Sequence, residues 1–160
     1  MTMVLISIAA LGVSYALAFG LRHQSDSLWQ TKAVALADAY MEEILARRFD
    51  ETSPLGGVPP CSPATLPCSL PVSFDDGEAR AEYDDVDDYD GTDDAPPLDA
   101  KGNARPSYER YRVEVAVAYA NAAMTSSLGL DDPTDAKLVT ITVTAPSGES
   151  MRFSGVRGNF

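Results

Sequence analysis

The sequence predicts an α+β protein: a long amino-terminal α-helix, transmembrane then amphipathic, packed on a small antiparallel β-sheet. Three observations carry this. Nineteen residues from Met3 to Leu21 hold no charge, and no glycine or proline separates them from the amphipathic pattern that runs to about Phe49. After Pro106 the hydrophobic period changes from helical to alternating, in YRVEVAVAY and again in KLVTITVTA.

Met3–Leu21 has the length of a membrane span, which needs about 20 apolar residues at about 1.5 Å each. Two other readings of the run stay open. Ala16-Leu17-Ala18 offers a small-x-small cleavage site, but only Met1 and Thr2 precede the run and neither is basic, as a secretory signal would require. A soluble core helix is rarely apolar on every face for this length. Within the run, Leu5, Ala9, Ala10, Gly12, Ala16 and Gly20 are candidates for helix packing, since small side chains let apolar helices approach closely.

From Leu28 to Phe49 the residues Leu28, Ala33, Leu36, Tyr40 and Ile44 form one apolar face, widened by Trp29, Ala37, Met41 and Leu45. Tyr40 and Met41 are core residues on this reading, not an aromatic ligand stripe. The polar side carries Lys32, Asp38, Glu42, Glu43, Arg47 and Arg48, with Glu43 and Arg47 spaced for an i,i+4 pair. Arg47 and Arg48 suit the negative end of the helix dipole, and Pro54 with Gly56-Gly57 stops the helix.

Prolines at 54, 59, 60, 63, 67 and 71 make the next segment an irregular connector. It contains the only two cysteines, Cys61 and Cys68, in CSPATLPC. A local disulfide there contributes roughly 2.5 kcal/mol by chain-entropy reasoning, and it places the domain in an oxidising compartment such as the periplasm. Two reduced thiols are the alternative; a zinc site lacks the ligands to complete it. Arg22 and His23 after the apolar run favour a cytoplasmic carboxyl side by charge bias, against the cysteines.

Asp76-Gly77 marks a turn between Val72-Ser73-Phe74 and residues 79–83, a candidate hairpin. The tract DDVDDYDGTDD follows. Asp84, Asp85, Asp87, Asp88 and Asp90, with Asp93 and Asp94, supply hard oxygen ligands of the type calcium takes, although Tyr89 and Asp90 break an EF-hand register counted from Asp85. A calcium-ordered loop, a surface for a basic partner and a solvated acidic loop are the three readings.

In the first alternating strand Tyr111, Val113, Val115, Val117 and Tyr119 face inward; in the second, Val139, Ile141 and Val143 do so with three threonines outward. Asn121 to Thr134 reads as the loop between them. A third strand, antiparallel to the second, starts at Met151 after the Pro146-Ser147-Gly148 turn, before Gly155 and Gly158. The organisation is thus 1–21 apolar helix half, 22–51 amphipathic half, and 52–160 a single β domain.

A net charge of −12 argues against a nucleic-acid partner, because phosphate backbones are bound by basic patches. Enzymatic signals are weak. The one histidine, His23, adjoins the apolar run, no G-x-S-x-G accompanies it, and Gly56-Gly57 precedes no helix that would cradle a phosphate. The expectation is a structural protein, not an enzyme, without a cofactor unless calcium binds the acidic loop.

VLISIAALGVSYALAFG, ALADAYMEEILARRFDE, CSPATLPC, DDGEARAEYDDVDDYDG and the terminal strands together resemble the type IV pilins and pseudopilins, most closely the minor pilin-like components of mannose-sensitive haemagglutinin (MSHA) pili. The resemblance covers nearly the whole chain. It implies a single-pass inner-membrane protein with a periplasmic head, assembling with other pilin and minor pilin subunits through the pilus machinery to reach the cell surface. It also resolves the topology in favour of the cysteines. The basic leader, its terminal glycine and the glutamate that follows in such precursors have no counterpart here, so the coding frame is expected to extend upstream of Met1. A secretion-system pseudopilin and an exported or membrane-tethered binding module with a calcium-ordered acidic loop are the alternative functions.

Overall fold

Alternation of period two decides the sheet. In the computed structural model, which describes residues 27–54, 56–62, 67–69 and 78–160, four strands pair antiparallel in the order β1-β2-β3-β4. They are β1 (Asp93–Asp94), β2 (Arg112–Tyr119), β3 (Ala136–Thr144) and β4 (Ser150–Gly158). β2 and β3 are in register from Arg112 opposite Thr144 to Tyr119 opposite Lys137, which stacks Val113 on Val143, Val115 on Ile141 and Val117 on Val139. All six side chains are buried, each contributing about 1.5–3 kcal/mol over exposure. The inward faces are those the alternation predicts.

Against this face lies the helix α1, described over residues 27–45. Ala33, Leu36, Ala37, Tyr40 and Ile44 are buried at spacings of three and four, with Trp29, Met41 and Leu45 at the edges of the same cluster. The structure is therefore α+β, an antiparallel sheet covered on one face by a helix. The apolar run, with Leu5, Ala9, Gly12, Ala16 and Gly20, lies outside the described residues, as does His23. Among the described residues no helix is long and apolar enough to cross a membrane.

Four expectations need correction. The helix ends at residue 45 instead of near Phe49, because Arg48 leaves the helical path to form a parallel bridge with Asp85, its N–H donating to the Asp84 carbonyl at 3.2 Å. Residues 80–82 form a turn, not a strand, closed by the Glu82 N–H on the Ala79 carbonyl; the other half of the expected hairpin, 72–77, lies outside the described residues. The segment between β2 and β3 contains a short helix, α2 (Ala122–Leu128), and a 3₁₀ turn (Pro133–Asp135). Asn121 caps α2 by accepting from the Met124 N–H, and left-handed Gly129 ends it. Finally, Gly155 does not end the third strand. It sits inside β4 where α1 crosses, and a Cβ there would lie 2.6 Å from Met41 Sδ. Glycine is what allows the helix to come that close.

Candidate functional site

β3 begins with a lysine on its inward face. Lys137 shares parity with Val139, Ile141 and Val143, so folding carries its ammonium group into the interior, where its relative exposure is 0%. Nζ donates to the Phe49 carbonyl at 2.7 Å and to Asp50 Oδ2 at 3.3 Å, and lies 2.7 Å from both Asp87 carboxylate oxygens. The rings of Phe49 and Tyr119 cover it at 4.4 and 5.2 Å. A buried cation is tolerated only when paired and hydrogen-bonded in this way.

Each carboxylate in turn fastens a different segment. Asp50 Oδ2 accepts from the Ser69 N–H at 2.8 Å, beside Cys68, and Oδ1 accepts from the Thr52 hydroxyl at 2.8 Å. Tyr119 donates from its hydroxyl to the Ser69 carbonyl. The Cys61–Cys68 disulfide is present, as the spacing predicts, and Asn159 holds it to the end of β4: its Oδ1 accepts from the Cys61 N–H and its Nδ2 donates to the Cys61 carbonyl. Lys137 thus ties the segment after α1, the disulfide-bonded segment and the acidic tract to the sheet.

The middle of the acidic tract, residues 85–89, is folded inward, whereas Asp84 and Asp93 are exposed. Asp87–Tyr89 is a 3₁₀ turn with Asp87, Asp88 and Tyr89 all buried. Asp85 Oδ1 accepts from the Asp87 and Asp88 N–H groups, Asp88 Oδ2 accepts from those of Asp84 and Asp85, and Asp90 Oδ1 accepts from Val117 at 2.8 Å. These are local backbone hydrogen bonds of the type aspartate forms readily. Of the expected calcium ligands, Asp87 is bound to Lys137 and Asp90 to the sheet. Among the described residues, Asp84 and Asp85 converge with Glu51, their carboxylate oxygens within 4.8 Å of one another. Arg48 compensates that trio through ion pairs to Asp84 and Glu51.

Burial sets the proton affinities. It pushes the Asp85 carboxyl up to about 7, helped by neighbouring Asp88 and Asp87. It pushes Asp87 up to about 6 even though Lys137 pulls the other way. For Asp50 burial also raises, but Lys137 and the hydrogen bonds from Thr52 and Ser69 outweigh it and hold the carboxyl below its ordinary value.

A second polar cluster lies on the other side of the acidic tract. Glu43 does not pair with Arg47 as the i,i+4 spacing suggests; it binds Arg80 at 2.8 Å and Arg105 at 3.1 Å and accepts from the Tyr89 hydroxyl. The Arg80 guanidinium stacks on the rings of Tyr40, Tyr83 and Tyr89 at 5.3, 5.3 and 4.6 Å. Tyr40 donates to Asp94 Oδ2 at 2.7 Å and accepts from the Leu98 N–H, which locks the polar loop after β1 to the helix. Burial, with Glu43 next, pushes the Tyr89 hydroxyl up to about 12.

Sequence reasoning missed both clusters. The signal for Lys137 is its parity in KLVTITVTA; none marks Glu43, whose partners are 37 and 62 residues away. Lys137 is fully buried, and its cluster joins segments that are distant in sequence. Comparison of the chain with protein-family models, with curated proteins and with solved structures finds no match.

Proposed function

We propose that the chain is a structural, pilin-like subunit of a type IV pilus of the MSHA kind, a minor component resembling the biogenesis protein MshD. In this reading the apolar run Met3–Leu21 holds the subunit in the inner membrane before assembly. It then exchanges lipid for the corresponding helices of other pilin and minor pilin subunits in the filament core. The supporting observation is the arrangement of α1. A helix described from residue 27 lays one apolar face on an antiparallel sheet, and the sequence leading into it is an uncharged run with no glycine or proline between.

The rest of the chain suits a periplasmic head with a structural task. The disulfide fits an oxidising compartment, and the Lys137 cluster joins the segment after α1, the disulfide-bonded segment and the sheet. A subunit hauled into a filament by its amino-terminal helix transmits load through that junction. Leu28 and Val34, exposed on α1, add apolar surface for neighbouring helices.

Deleting Met3–Leu21 tests the reading. The variant is expected to fold with its disulfide intact, to leave the membrane fraction, and to disappear from pili; its continued incorporation into pili would contradict the proposal.

A further inference from the structure

In a chain of net charge −12, three arginines face one groove. The groove has a volume of about 550 Å³ and lies between residues 46–48, which follow α1, Pro54, Gly56 and Gly57, and the end of β4. Arg47, Arg48 and Arg157 line it together with Asp84, and Pro54 supplies apolar wall. Gly57 shapes its floor: with φ at +73° and the Phe160 backbone 2.4 Å from where a Cβ would stand, only glycine fits there.

The three cations are not equally compensated. Arg48 is bound by Asp84 and Glu51. Arg47 donates from Nε to the Tyr89 hydroxyl at 3.3 Å, which orients its guanidinium, and forms no ion pair with any described residue. Arg157 stands opposite Lys137 on the inward side of β4, and its Nε is buried with no hydrogen-bond acceptor among the described residues. Arg47 and Arg157, neither of which forms an ion pair with any described residue, therefore bring two uncompensated positive charges to the groove.

We propose that this groove is a carboxylate-binding site whose occupant is an acidic segment of a partner polypeptide. The guanidinium fork matches a carboxylate with two parallel hydrogen bonds. The groove is larger than a single inorganic oxyanion needs, and Pro54 on its wall offers apolar surface to the aliphatic stem of a glutamate. The site stands independently of the pilus reading; where that reading holds, the acidic segment belongs to a neighbouring subunit.

The test is calorimetric titration of the full-length protein, in non-ionic detergent micelles at low ionic strength, with an acetylated and amidated hexaglutamate peptide. Hexaglutamine and inorganic phosphate serve as comparison probes. Hexaglutamate is expected to bind, hexaglutamine not to, and phosphate to bind at least tenfold more weakly than hexaglutamate. Raising the salt to 0.5 M is expected to weaken the complex. Arg47→Gln and Arg157→Gln are each expected to weaken it at least tenfold, with circular dichroism verifying the fold; Arg47 lies outside the sheet and remains informative should Arg157→Gln misfold. No hexaglutamate binding, binding unchanged by Arg47→Gln, or phosphate binding as tightly as the peptide would overturn the proposal.

Discussion

Replacing Lys137 by methionine is expected to destabilise the domain by about 3–5 kcal/mol at pH 8, the range for removing one partner of a buried ion pair. Methionine fills much of the volume but leaves Asp87 and Asp50 buried without their cation, and the Phe49 carbonyl without its donor. For a chain of this size the melting temperature should fall by about 10 °C. Adding Asp87→Asn to Lys137→Met removes one of the uncompensated charges and is expected to recover part of the loss, a coupling that a double-mutant cycle reads directly. A Lys137→Met melting temperature within two degrees of the parent would mean that the cluster does not hold the junction together.

Between pH 5 and pH 8 the domain is expected to lose stability as the pH rises. Asp85 and Asp87 are raised to about 7 and about 6 from an ordinary value of 3.8. In that interval the folded state binds more protons than the unfolded chain, so unfolding free energy falls with increasing pH. Their contribution is complete below the unfolded value and is lost as the pH passes through about 6 and about 7. Asp50 acts in the opposite sense: its lowered carboxyl stabilises at higher pH and loses that effect as the solution is acidified through the ordinary carboxylate range and below. A stability maximum near pH 5 follows, with a decline to pH 8 on the order of a few kcal/mol. Asp85→Asn isolates the effect, because its side-chain oxygen can still accept from the Asp87 and Asp88 N–H groups while the titrating charge is gone. Melting temperatures at pH 5 and pH 8 should differ clearly less in this variant than in the parent; an equal difference would remove Asp85 from the explanation.

Where one physical rule dominated, the sequence was readable. Val113, Val115 and Val117 against Val143, Ile141 and Val139 follow from alternation alone, because a one-residue slip would expose every one of them. The apolar face of α1 follows from its period from Ala33 to Ile44, although Leu28, expected on the same face, is exposed ahead of the packed turns; the disulfide follows from a short proline-stiffened spacing. Legibility failed where distant charges decided the outcome. Seven aspartates in an eleven-residue stretch read as a calcium-ordered loop, a surface for a basic partner or a solvated loop, yet Asp85 and Asp88 accept from N–H groups of neighbouring residues in the tract and Asp87 meets a lysine 50 residues away. No local pattern encodes that encounter. Lys137 itself was open to inference, since an alternating strand leaves its inward parity no choice. The end of α1 was misplaced for a related reason: Arg48 is a good helix former, but its bridge to Asp85 is tertiary and overrides the preference. The cap of α2 was legible and overlooked, with Asn121 at one end and Gly129 at the other.

The central claim, a filament subunit drawn from the membrane into a pilus by its leading helix, is tested most directly by where the native protein is found. Cells shed their pili by shearing, and the sheared, inner-membrane and soluble fractions are probed for the full-length chain together with the oxidation state of Cys61 and Cys68. The account expects the protein in the membrane and in the sheared pili, with the disulfide formed. Recovery as a soluble cytosolic monomer with both thiols reduced would contradict it.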